Sequence, residues 1–122
     1  MAELFGNSDD GRVTSPNGAW AVSRDADTGG AVSNTTAASS PNFTAVNMFS
    51  SRGGGNTFRP ERTFMHFDTS GITGTVASAQ FEIVGDGSTS NGSIIAVKSN
   101  AFGGDGGTAL STADFDAIPG WT

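Results

Sequence analysis

Two runs of alternating apolar and polar residues, Arg62–Ile72 and Val76–Ile83, flank a short Gly/Thr turn and constrain this chain more than any other feature. Met65 and Phe67 fall on one face of the first run. Ala79, Phe81 and Ile83 fall on one face of the second, with Ser78, Gln80 and Glu82 opposite. A period of two is the signature of half-buried strands, and a Gly-containing turn between two such runs predicts an antiparallel pair. The pattern argues for an all-β chain and against a helical or Rossmann-type enzyme.

Composition agrees. The 122 residues suffice for one domain with one core. There are 18 Gly, 15 Ser and 14 Thr, but one lysine (Lys98) and three glutamates, so good helix formers are scarce and turn formers abundant. Nine Phe and two Trp supply large surfaces for burial. A net charge of -6 gives no electrostatic footprint for nucleic acid and is repelled by anionic membranes. With no cysteine, disulfides and thiolate zinc sites are excluded. No apolar run approaches a membrane span. Met1–Asn7 has neither the basic region nor the apolar core of a signal peptide.

Residues 1–18 are turn-rich and are read as an N-terminal arm, with one domain over 19–122. Strands are expected at Ala19–Val22, Phe43–Phe49, Arg62–Asp68, Val76–Ile83 and Ser93–Lys98. Asn34–Pro41, Ser50–Asn56, Gly85–Gly92 and Phe102–Gly107 are expected as loops. A single helical turn is expected over Ser111–Ile118. Ser111 or Thr112 would be its N-cap, Asp114 would sit in its first turn, and Pro119-Gly120 would end it. Sandwiches usually need seven or eight strands. The fold expected is therefore an antiparallel β-sandwich, jelly-roll-like and incomplete. Either a longer chain or neighbouring subunits would supply the missing strands.

The stretch Arg62-Thr-Phe-Met-His-Phe-Asp-Thr-Ser-Gly-Ile72, followed by Val76–Ile83, resembles the R-x-x-[LM]-x-F-D-[LT]-S-x-[IL] signature of DNRLRE-like jelly-roll modules. Such modules occur in bacterial surface proteins and in structural proteins of environmental phages. Ile95–Leu110 and Asp114–Ile118 look like the phage-associated branch. The resemblance covers roughly residues 19–122. It implies a sandwich without a shared catalytic motif, in proteins that normally have more strands.

Candidate site residues are few. His66 is the sole histidine, and by strand register it points opposite Met65 and Phe67, to solvent or an interface. A triad or a metal site would need a partner for it. No Gly-x-Ser-x-Gly elbow occurs, and the Gly-rich segments lack the Gly-Lys-Ser/Thr of a phosphate loop. Glu61 and Glu82 do not form a recognisable glycosidase pair. Asp25-x-Asp27-x-Gly29 is the best calcium candidate, although it lacks EF-hand spacing and turn capping accounts for the same residues. Asn34, Asn42 and Asn91 open glycosylation sequons, which arise readily by chance in a Ser/Thr-rich chain. Trp20 and Trp121, with Phe43, Phe49 and Phe102, are candidates for stacking on sugar rings, against core packing as the plainer role. Arg62 is expected to pair with Asp68 or Glu61 at a sheet end.

The function expected is that of a non-catalytic structural subunit, virion-borne or extracellular. It would self-assemble through open sheet edges and apolar faces. The alternative is a carbohydrate-binding or adhesion module of a surface or host-recognition protein. Partners would be copies of the chain or neighbouring structural subunits, or a glycan, and not nucleic acid or membrane. Calcium is the one cofactor the sequence leaves open.

Overall fold

The computed structural model describes residues 4, 10–34, 46–50, 55–81 and 95–120. Four strands, β1 (Gly11–Thr14), β2 (Ala31–Asn34), β3 (Val46–Ser50) and β4 (Asn56–Phe64), form one antiparallel sheet in the order β2-β1-β4-β3. Among the described residues, helix is confined to α1 (Trp20–Arg24) and the 3-10 turns Phe102–Gly104 and Thr112–Asp116. The chain is all-β.

The nine-residue β4 organises the sheet. On one side it pairs with β3 through the register Val46↔Pro60 to Ser50↔Asn56, closing a hairpin over the Gly-rich 51–55 connection. On the other side it pairs with β1 from Gly11↔Phe64 to Thr14↔Glu61. That ladder runs on through Ser15 N–H to Pro60 O (3.2 Å) and a two-bond bridge between Asn17 and Phe58 (2.9 and 2.8 Å).

Pro60 is unexpected inside a sheet, because proline has no N–H to give the ladder. The donor missing opposite Ser15 is replaced by a side chain: the fully buried Ser23 hydroxyl donates to the Ser15 carbonyl. Ser23 lies on α1, and its hydroxyl also sits 3.1 Å from Phe58 O. Three residues earlier on the same helix face, Trp20 meets the Phe58 ring edge-on at 5.9 Å. Arg59 and Arg12 flank the buried Glu61 carboxylate at 3.0 and 3.2 Å and so tie β4 to β1.

The core lies on the face opposite the Glu61 carboxylate, the same face that carries α1. Val13 and Phe64 from the sheet pack with Ala101, Phe102, Leu110 and Phe115 from the turn-rich segment, with Val32, Ala26, Ala117 and Ile118 at the margin. Arg62 clamps this layer. Its guanidinium lies 4.2 Å from the centre of the Phe115 ring, donates to Phe115 O, pairs with Asp116 at 3.1 Å and reaches Arg24 O at 3.1 Å. The turn Thr112–Asp116 is held as expected, with Ser111 N–H and hydroxyl both meeting the Asp114 carboxylate at 2.7 and 3.0 Å.

Several expectations are corrected. Residues 11–14, expected within an arm, form an inner strand of the sheet. Trp20–Val22 is helical, because α1 must turn both Trp20 and Ser23 toward β4. Residues 31–34, unassigned or looped by the sequence, form β2. The central strand begins at Asn56 and ends at Phe64, where its β1 partner ends at Gly11. Residues 65–69, 75–81 and 95–98 join no ladder, since β4 already has neighbours on both sides. Arg62 pairs with Asp116, not with Asp68 or Glu61. Ile83, Glu82 and residues 93–94 lie outside the described residues.

Candidate functional site

Beyond Phe64 the chain leaves the sheet but stays ordered by side chains. The buried Asp10 carboxylate accepts the His66 N–H at 2.8 Å, continuing the β1–β4 ladder one step past its end. His66 then faces the 102–108 loop, its ring 6.1 Å from Phe102. Gly106 allows this approach. Its φ is +83°, and a β-carbon there would lie 2.2 Å from His66 Nε2. Phe102 itself adopts φ 59°, a conformation that costs a bulky residue about 1–3 kcal/mol. Its carbonyl offsets part of that cost by accepting the N–H groups of Gly106 (3.1 Å) and Thr108 (3.3 Å). His66, expected to point to solvent or an interface, is half-buried and packs against the 102–108 loop.

These elements form the floor of an open cleft of about 760 Å3. Its walls are Met65 and Phe67 after β4, Phe81, and the segment Ile95–Ser99, with Trp20 at one end. Phe67 and Phe81 meet edge to face at 6.0 Å, so the two alternating runs do approach each other, through aromatic rings and not a ladder. The cleft is wide open to solvent. Ile95 is 64% exposed, Val97 50%, Phe81 47% and Trp20 37%. Lys98, which follows Val97, is exposed and has no ion pair among the described residues. The arrangement is built to bury apolar surface. Among the described residues the buried Nδ1 of His66 has no hydrogen-bond partner.

The other candidates lie apart from this cleft. Both Asp25 oxygens are engaged by Arg24, at 2.5 and 2.7 Å, so a cation there would have to displace a guanidinium. Those hydrogen bonds, reinforced by the Arg24 charge, hold the Asp25 carboxyl below the usual carboxylate range. Asp27 is exposed nearby, and among the described residues no group of three or more His, Asp or Glu is placed to hold a metal. Asn34 ends β2 opposite Gly11, on a strand and not in a loop. Asn42, Asn91, Phe43 and Trp121 lie outside the described residues, and Phe49 is placed only by its backbone in β3. Phe102 is buried in the core, where it cannot stack on a sugar. Sequence reasoning missed the roles of Ser23, Asp10 and Gly106. Each acts on a residue more than 30 positions away or across a turn, and no local pattern records that.

What fold and site define together is an all-β module with an exposed apolar cleft. No helix among the described residues is long and apolar enough to cross a membrane. Comparison with family models, with curated proteins and with solved structures finds no match for the chain.

Proposed function

We propose that this chain is a non-catalytic structural module that self-assembles into a virion component or extracellular filament. Its single sheet would be half of a jelly-roll-like sandwich, completed by neighbouring copies. The observation that carries this is the exposure of Ile95, Val97 and Phe81 along one cleft. Contiguous apolar surface of this kind is costly in water and marks an interaction site. The resemblance to phage and bacterial surface modules points the same way. Light scattering across a dilution series tests it. The molar mass is expected to grow with concentration, whereas a monomer at every concentration contradicts it.

A second reading, a carbohydrate-binding module, is favoured by one observation: Trp20 lines the cleft with part of its ring in water. Glycan-array binding that Trp20→Ala abolishes, with the far-ultraviolet dichroism unchanged, would establish it. Absence of any glycan signal removes it.

A further inference from the structure

We propose that the Lys98–Ser99 peptide bond is a processing site for an endoprotease that takes a basic residue before the cut, and that the piece after it, 99–122, stays lodged in the core once the bond is broken.

An endoprotease binds its substrate as an added strand. The residues before the cut must therefore be exposed, outside helices and turns, and without other backbone hydrogen bonds. Ile95–Lys98 meets these needs. All four residues are exposed, and they lie in no helix, turn or ladder. Among the described residues no hydrogen bond engages a backbone group from Ile95 to Ser99. Anchors begin only past the bond, where the Ser99 hydroxyl donates to Ala117 O at 2.7 Å and Asn100 N–H to the same carbonyl at 2.8 Å.

The other described basic residues are held. Arg12 on β1 and Arg59 and Arg62 on β4 sit inside ladders, and Arg59 is followed by Pro60. Arg24 lies on α1, paired with Asp25. Arg52 lies outside the described residues. Lys98 is the chain's one lysine. Among the described residues it alone puts a basic side chain on a segment that a protease can take as a strand.

Cleavage adds water across the bond. The hydroxyl goes to the Lys98 carbonyl carbon and the hydrogen to the Ser99 nitrogen; the new acid then ionises and the new amine is protonated. The piece after the cut supplies four of the six buried core side chains, Ala101, Phe102, Leu110 and Phe115. Arg62 holds Phe115 O and Asp116 from the other side of the cut, and Gly29 N–H holds Thr112 O at 2.8 Å. None of these contacts runs through residue 98. The core layer therefore stays, and the cleft wall is freed at one end.

Digestion with a lysine-specific endoprotease tests this, because the sequence allows it one cut. The native chain is expected to be cut within about tenfold of the rate for the urea-unfolded chain. A slower cut, approaching the roughly thousandfold or greater deficit of a bond exposed only by global unfolding, overturns the site. Trypsin separates an open segment from a chain that is loose throughout. The bond after Lys98 is expected to break well before those after Arg12 and Arg62, and equal rates at the three overturn the site as well. After the cut, size-exclusion chromatography in buffer is expected to keep the two pieces together, and urea to part them. Separation in buffer alone overturns the retention of 99–122.

Discussion

Pro60 shows how one residue reshapes its surroundings. Its ring removes a ladder donor from the middle of β4, and the Ser15 carbonyl opposite would be left buried without a partner. The Ser23 hydroxyl meets it, and this is the physical reason a five-residue helix sits over the sheet. Ser23→Ala is expected to cost about 1–3 kcal/mol in urea unfolding, the penalty for an unmet buried carbonyl. In a Pro60→Ala background the new N–H restores the ladder bond, and the same substitution is expected to cost clearly less. Equal losses in both backgrounds would separate the two residues.

Two exposed carboxyls, Asp25 and Asp68, are lowered by their hydrogen-bond partners. Asp25 is lowered by its hydrogen bonds from Arg24, and Asp68 by hydrogen bonds from Ser70, including the Ser70 N–H at 2.9 Å. A carboxyl lowered on folding stabilises the fold above its ordinary pKa, and that contribution is lost as pH falls through the lowered value. NMR titration is expected to give both side chains midpoints below the ordinary value of about 3.9. Midpoints at or above it would contradict the two contacts.

Among the elements, the 102–108 loop is the most exacting. Gly106→Ala would force a β-carbon into the His66 ring at a positive φ. A loss of about 1–3 kcal/mol is expected in thermal or urea unfolding. A neutral result would mean the loop does not hold His66. The sequence made some elements readable and hid others. The turn at Thr112–Asp116 was legible because its cap is local, Ser111 answering Asp114 three residues on. Of the β3–β4 hairpin, the strand at Val46–Phe49 and the Gly-rich connection were legible, but the pairing was not, because the expected second strand began only at Arg62. β1 was not. Gly11-Arg-Val-Thr14 offers one apolar side chain, and only the partners on both sides make it a strand. α1 was misread because five residues hold too little of either period, and the deciding contact, Ser23 to Ser15, is tertiary.

For the whole molecule, the alternating pattern of Val76–Phe81 and Ile95–Lys98 was legible as apolar surface left for a partner to cover, but not as segments outside any ladder. A period of two reports which side chains seek burial; it does not report whether a neighbouring strand exists. With β1 and β3 flanking β4, these segments face solvent around the cleft. The sheet and its turn layer bury Val13 and Phe115 fully, so the fold has a core of its own and leaves its second apolar surface outward.

Hydrogen exchange at the Ile95–Lys98 amides, measured in dilute and in concentrated solution, tests that surface most directly. Rapid exchange at low concentration, slowing as copies associate, is the result expected. Protection already present in the dilute monomer, or association that leaves these amides unprotected, would contradict an open cleft covered by another copy.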